Sequence, residues 1–370
     1  MKKVNVAMIG VGCISGIYLE NITKVFKEIE LIGVCDLIRE RAENAQKNYN
    51  IPKVYETMHD AFADPEVDIV LNLTRPYEHY EVTKAALEAG KHVYSEKPLG
   101  ADLAEGIELR DLAEKKGLML GGAPDTFMGA GIQTCRRLID DGFIGTPIGS
   151  AAFLICNGHE SWHPDPEFYY KRGGGPMFDM GPYYLTAMIN LLGGVSEVMS
   201  ASKTTFPQRT ITSQPLAGTI VDVDVSTYIS GTVKYDSGAI GTIFTTFDVK
   251  FPGEATRYIE VYGTEGTLFV PDPNGFSGPV KLYRPEEGKI REMPLMYDYA
   301  DNSRALGLAD MAKAIVDGRV ARCDYTQTFH VLEMIEGFET SSREGRWVKM
   351  NSHYERKPAM VKAKLKGVLD

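Results

Sequence analysis

From residue 4 to residue 122 the chain alternates short, almost unbroken apolar runs with segments whose apolar residues recur every three or four positions. The runs are VNVAMIG (4–10), ELIGVCD (30–36), VDIVLNLT (67–74), HVYSEKP (92–98) and LMLGG (118–122). A strand without polar alternation has both faces covered, and parallel strands need helical crossovers between them. This rhythm therefore predicts a doubly wound, parallel Rossmann-type sheet. The crossovers are a segment running to Val25, then RERAENAQKNYN (39–50), YEHYEVTKAALEAG (77–90) and DLAEGIELRDLAEKKG (102–117), the last two stopped by Gly90 and Gly117.

Beyond about residue 150 the period shortens to two. Alternating runs at 223–249, 257–271 and 280–284 are separated by turn signals at Asp236-Ser237-Gly238 and Gly263-Thr264-Glu265-Gly266. Two helical stretches, 303–318 and 327–343, follow. The expected architecture is a Rossmann domain over 1–123, then an α+β domain over 124–370 built on a large, mainly antiparallel open sheet. No repeat of solenoid or propeller period is present.

A net charge of −10 disfavours nucleic acid or a membrane surface as partner, because both select a basic face. The Lys-rich stretch at 362–366 reads as a solvated tail. Five scattered cysteines, without a C-x-x-C pair, form neither a disulfide framework nor a zinc site, and are expected as buried reduced thiols. The N-terminal apolar run is too short for a secretory signal, and no stretch has the length of a membrane span. A cytoplasmic location is expected.

The turn after the first run is GVGCISG, with Gly10, Gly12, Cys13 and Ile14 leading into Ser15 and Gly16. Such glycines let a pyrophosphate approach a helix N-terminus, and Ser15 is small enough for the third position of the fingerprint. Asp36 ends the second run, where a carboxylate accepts both ribose hydroxyls and repels a 2′-phosphate. NAD is favoured; Arg39 nearby keeps NADP open. Ligands of open α/β sheets sit beyond the carboxyl ends of the strands. Thr74, Pro76, His79, Glu96 and Lys97 fall at such ends and are expected around the cofactor.

GVGCISG, Asp36, ALEAGKHVYSEKPLG and GGGPMFDMGPYYL together resemble the Gfo/Idh/MocA oxidoreductases, and the resemblance covers nearly the whole chain. It implies a Rossmann domain followed by a sheet domain whose open face makes a homodimer or homotetramer. It also implies action on a secondary hydroxyl of a sugar, polyol or related compound, with Lys97 beside nicotinamide and substrate. Members often carry histidine four residues after the aspartate matching Asp179; this chain has Tyr183, as some members do. The catalytic set implied is Lys97, Asp179 and Tyr183, and either Lys97 or Tyr183 serves as proton acceptor. A helix is expected from Pro182, with Asp179 just before it and Leu185, Ala187, Met188, Leu191 and Leu192 as its core face.

The loop NGHESWHPDPEFYYKRGGG (157–175) mixes aromatic and polar groups in the manner of a sugar site, with Trp162, His163 and Tyr169 as contacts. Its His159 and His163 invite a metal, but the prolines around them argue against a helix and no third ligand follows. Where members of the family often carry Asn-Arg, this chain has Pro124-Asp125, which points to a neutral substrate, with Thr126 facing it. The reading is an NAD(P)-dependent dehydrogenase of a sugar, glycoside or cyclitol. Its rivals are a glycosidase that recycles NAD through transient oxidation and a nucleotide sensor without turnover.

Overall fold

The computed structural model describes residues 3–250, 256–362 and 367–369, and the counts below refer to these. All of the Lys-rich tail except Lys362 lies outside the described residues. The chain divides into two compact units. The first comprises Met1–Gly129, Tyr297–Phe329 and Pro358–Asp370; the second comprises Ala130–Met296 and His330–Lys357. The single cut expected at 123/124 thus gives way to a discontinuous division. Periodicity marks the apolar face of the helix at Leu306–Asp317, with Leu306, Leu308, Met311 and Ala312 buried, but not which sheet that face covers.

The first unit runs β1 (Val4–Ile9), α1 (Ser15–Lys24), β2 (Ile29–Cys35), α2 (Arg39–Tyr49), β3 (Lys53–Val54), α3 (Met58–Ala63), β4 (Ile69–Asn72), α4 (His79–Glu88), β5 (His92–Ser95), α5 (Leu103–Lys116) and β6 (Leu120–Gly122). The strands lie in the order β3-β2-β1-β4-β5-β6, every pair parallel. Direction of winding reverses between β1 and β4, which opens a crevice at their carboxyl ends. Val6, Ala7, Met8, Ile69, Val70 and Leu71 are fully buried, as strands covered on both faces require. Asp102 caps α5 by accepting from Glu105 N (3.0 Å), and Gly117 ends it with φ +63°. β3 and α3 were not foreseen: a two-residue strand carries no period, and α3 owes its start to a Thr57–Asp60 capping box.

The second unit opens with α6 (Ala130–Asp140), β7 (Pro147–Ile155), α7 (Gly175–Asp179) and α8 (Gly181–Leu192). Strands β8 (Val195–Lys203), β9 (Gln208–Thr210), β10 (Ile220–Asp222), β11 (Tyr228–Tyr235), β12 (Ile240–Thr246), β13 (Arg257–Gly263), β14 (Thr267–Val270), β15 (Val280–Arg284) and β16 (Lys289–Met293) follow. The chain passes through α9 (Leu306–Asp317), an element of the first unit, and α10 (Tyr325–Glu344), whose residues from His330 on belong to the second; β17 (Val348–Lys349) then completes a sheet ordered β16-β15-β14-β13-β7-β12-β11-β8-β17. Only β7–β12 is a parallel pair; β9 and β10 form a separate hairpin.

Along β11, Ile229, Gly231, Val233 and Tyr235 are buried and the residues between them are not, so one face of the sheet packs and the other stays open. Tyr228, Phe244, Phe153 and Tyr258 form a row across the open face of β11, β12, β7 and β13, with ring centroids 4.9, 6.1 and 4.9 Å apart. α8 departs from the expected amphipathic helix: all its residues are buried, as in a helix apolar on every side.

All five cysteines are free. Cys35, Cys135 and Cys323 are buried, whereas Cys13 is exposed and Cys156 half-buried, which corrects the expectation that all would be interior. Among the described residues no helix is long and apolar enough to cross a membrane.

Candidate active site

In the first unit the glycine turn is built by its neighbours. Gly10 has φ +94°, and a Cβ on it would meet the Leu73 carbonyl carbon and oxygen at 2.8 Å; only glycine fits. A Cβ on Gly12 would meet nothing within 4 Å, so that side of the turn is open. Ser15 is buried and its hydroxyl donates to the Gly12 carbonyl (2.7 Å), which locks the turn onto α1. No side chain caps α1, and its first N–H, on Ser15, donates to the Gly12 carbonyl (3.2 Å). A glycine cradle ending at an uncapped helix N-terminus suits a pyrophosphate. Cys13 and Ile14 lie exposed at this turn.

Asp36 follows β2, and its carboxylate accepts from Val11 N (2.6 Å) and Ile38 N (2.8 Å). It is thereby held against the glycine turn. Arg39 pairs with Glu43 (2.7 Å) and with Glu56. A guanidinium already shared by two carboxylates is poorly placed to take a 2′-phosphate.

At the ends of β4 and β5 the predicted residues separate into two layers. Thr74 is half-buried and its hydroxyl donates to Asn72 Oδ1 (2.7 Å); Pro76, also half-buried, begins a one-turn 3-10 segment. His79 lies beneath them, with Nδ1 2.8 Å from the Pro98 carbonyl and Nε2 3.0 Å from the Thr74 carbonyl. Two carbonyl acceptors favour a proton on each ring nitrogen, but burial opposes the charge and prevails, holding His79 below its usual range. Its ring ties the β4 end to the segment after β5.

Glu96 is likewise buried. It accepts from the Tyr18 hydroxyl (2.8 Å) and from Lys97 N (3.0 Å). His79 and Glu96, expected among the cofactor contacts, therefore support the surface from below, while Lys97 itself stays half-buried.

Thr126, expected to face substrate, is only 2% exposed, and Asp125 only 1%. Asp125 Oδ2 accepts from Gly307 N (3.0 Å), so the acid braces the start of α9 and is not displayed to solvent. Burial pushes its carboxyl up to about 6, against the Gly307 N–H and Arg304, which favour the charged form. Its folded value lies above the ordinary 3.8, so the folded protein holds this proton more tightly than the unfolded chain. Stability then falls as pH rises through roughly 4 to 6 and levels off above. Asp125→Asn keeps an acceptor for Gly307 N–H and is expected to flatten that part of a plot of Tm against pH. A slope unchanged from wild type would contradict this account.

The second unit brings Asp179 together with the aromatic loop. Gly175 has φ +83° and a Cβ there would meet the Ser226 carbonyl at 2.9 Å, which explains a glycine before Pro176 at the start of α7. Asp179 closes α7 and is not the cap of the next helix; α8 begins at Gly181 with Pro182 in its first turn. Tyr183, also in that turn, is 7% exposed. His159 Nε2 lies 3.2 Å from Asp179 Oδ2. Around His159 stand Trp162 (5.3 Å between centroids, edge-on), Tyr169 (4.0 Å) and Phe247 (4.7 Å). His163 stands 5.4 Å from both Trp162 and Tyr169. Burial holds His163 below its usual range. Trp162, 60% exposed, is the open side of this cluster.

The loop is fixed from behind. Arg209 on β9 donates to Glu160 (2.9 Å) and to the Phe247 carbonyl (3.2 Å), and pairs with Asp248. Thr212 N and Ser213 N donate to the Glu160 carbonyl (both 2.9 Å). Sequence reasoning named Trp162, His163, Tyr169 and Asp179 but took His159 only as a weak metal ligand. Nothing in the spacing links residue 159 to residue 179 across two loops. Among the described residues no group of three or more His, Cys, Asp or Glu side chains is placed to hold a metal ion.

Residues 4–122 match the model of the Gfo/Idh/MocA oxidoreductase family with an NAD-binding Rossmann fold, and residues 132–269 match that of the Gfo/Idh/MocA C-terminal domain. The inositol 2-dehydrogenase/D-chiro-inositol 3-dehydrogenase of Lactiplantibacillus plantarum is 32% identical over 146 residues, 39% of this chain and 41% of that protein. The D-glucoside 3-dehydrogenase of Escherichia coli is 25% identical over 94% of this chain and 98% of its own length. An NAD-binding oxidoreductase from Klebsiella pneumoniae superposes with a TM-score of 0.80 at 22% identity, covering 94% of this chain and 99% of that one.

Proposed function

Since this chain belongs to the Gfo/Idh/MocA family of oxidoreductases, we propose that it is an NAD-dependent dehydrogenase acting on a secondary hydroxyl of a neutral sugar, glycoside or cyclitol. The observation that carries the reading is Lys97, half-buried beside a Glu96 that Tyr18 anchors inward, in the same unit as a glycine turn that admits no side chain at Gly10. The cyclitol and glucoside activities of the relatives named above supply the substrate class.

Gly10, Gly12, Cys13 and Ile14 with the N-terminus of α1 hold the pyrophosphate, Asp36 takes the ribose hydroxyls, and Thr74, Pro76 and Lys97 border the nicotinamide. When bound, NAD supplies the hydride acceptor. Preference for NAD over NADP follows from the carboxylate at Asp36 and the engagement of Arg39 by Glu43 and Glu56. Loss of a carbinol C–H requires the neighbouring hydroxyl to give up its proton, and a positioned acid–base group accelerates that by roughly 10²–10⁴-fold. Lys97 moves this proton, with Asp179 orienting the hydroxyl and Tyr183 as the alternative acceptor. Trp162, His163 and Tyr169 read the sugar, with the aromatic faces covering its C–H surface.

The aromatic row Tyr228–Phe244–Phe153–Tyr258 favours a homodimer or homotetramer through the open face of the second unit's sheet. Five unpaired cysteines fit a cytoplasmic location. To test the reading, the purified protein is incubated with NAD, then NADP, and a panel of neutral cyclitols, aldoses and glycosides. Formation of reduced NAD with at least one neutral member, and a weaker response with NADP, is expected. Reaction only with anionic sugars, or with none, would overturn the reading.

A further inference from the structure

His159 has a second anomaly beside its contact with Asp179. Its Nδ1 is buried and has no hydrogen-bond partner. Buried polar atoms without partners are rare in folded proteins, and each asks for a reason. Here the two nitrogens constrain each other. A carboxylate offers only lone pairs, so the nitrogen that faces Asp179 must carry the proton. An N–H on the other nitrogen, shut among Trp162, Tyr169 and Phe247, would cost about 1–3 kcal/mol for want of an acceptor. Both demands select one neutral tautomer, with hydrogen on Nε2 and a lone pair on Nδ1.

The backbone that carries the ring is pinned. His159 N donates to the Tyr170 hydroxyl (3.3 Å), and the next residue, Glu160, is gripped through its side chain by Arg209 and through its carbonyl by Thr212 N and Ser213 N. With side chains 11% and 13% exposed, His159 and Asp179 form a nearly enclosed pair.

We propose that His159 is the positioning residue of this enzyme: its Nε2–H fixes the orientation of the Asp179 carboxylate, and the aromatic walls fix the tautomer that makes this possible. The proposal rests on the dehydrogenase reading for its kinetic consequence, but not for its structural one. His159 does not itself touch the substrate; it sets the direction from which Asp179 meets the hydroxyl.

Two measurements test it. Enzyme labelled with ¹⁵N-histidine contains 7 histidines, so the His159 signals are identified by their loss in His159→Gln. The expected spectrum has a protonated Nε2 and a bare Nδ1 at residue 159; in Asp179→Ala the enclosed Nδ1 still keeps that tautomer, but the Nε2–H signal shifts because its hydrogen bond to the carboxylate is lost. A protonated Nδ1, or an Nε2–H signal that Asp179→Ala leaves unchanged, overturns the proposal whether or not any substrate is known.

The second measurement is kinetic. His159→Leu is expected to lower kcat roughly 10–100-fold, the usual scale for losing a group that orients a reacting side chain, while leaving KM for NAD unchanged. His159→Gln, whose amide N–H can still donate to Asp179, is expected to restore most of kcat. Equal losses in the two variants overturn the positioning role. Absence of turnover in every protein, wild type included, overturns the dehydrogenase reading and leaves the spectroscopic result to decide the tautomer.

Discussion

Lys97→Met is expected to lower kcat/KM for carbinol oxidation by roughly 10²–10⁴-fold, the span attached to a positioned acid–base group. Methionine fills nearly the same volume without the ammonium, so the loss reports charge and proton, not packing. The setting of Lys97 makes the effect specific. Glu96 is held by Tyr18 and by the Lys97 backbone itself, and His79 ties the following Pro98 carbonyl to the β4 end. Backbone position at residue 97 is therefore fixed by groups the substitution leaves intact. Steady-state kinetics give the rate loss, and unfolding midpoints check that Lys97→Met is folded. A variant that kept turnover within a few-fold of wild type would move the proton to Tyr183 or elsewhere.

The second large effect concerns stability. Arg209→Ala is expected to destabilise the protein by about 3–5 kcal/mol, read as a fall in the urea midpoint. The guanidinium joins Glu160 and Asp248, and the three side chains are 8%, 12% and 3% exposed. Removing the cation strands two buried carboxylates, which is far more damaging than losing a surface ion pair worth about 0–1 kcal/mol. Replacing Arg209, Glu160 and Asp248 together with apolar residues of similar volume should recover most of the loss, because no charge is then left uncompensated. Since Arg209 also fixes the loop carrying His159 and Trp162, the single variant should raise KM for the sugar before it unfolds.

Legibility in the sequence followed the physics of each feature. The first sheet was plain because strands covered on both faces leave unbroken apolar runs, and crossover helices leave a different period between them. β3 escaped because two residues have no period, and α9 escaped correct assignment because a covered face does not name what covers it. Lys97 was readable at the end of an apolar run and Asp179 in the turn before a helix, as polar groups placed by the chain's pattern. The burial of Glu96, His79 and Thr126 was not, since spacing places a residue along the chain but not in depth. Asp125 misled for the same reason: the acid standing where members of the family often carry arginine turns inward to Gly307 N. His159 was missed because its partner lies on another element, and only the folded loop joins them.

In the proposed reaction, hydrogen passes directly from a carbinol carbon of the substrate to NAD. It is tested most directly with an active member of the neutral panel carrying deuterium on the carbon that is oxidised, followed by mass spectrometry of the cofactor after a single turnover. One deuterium in the reduced nicotinamide and a ketone on the sugar are expected. Release of an aglycone with the cofactor returned unreduced, or reduced cofactor without label, would contradict it.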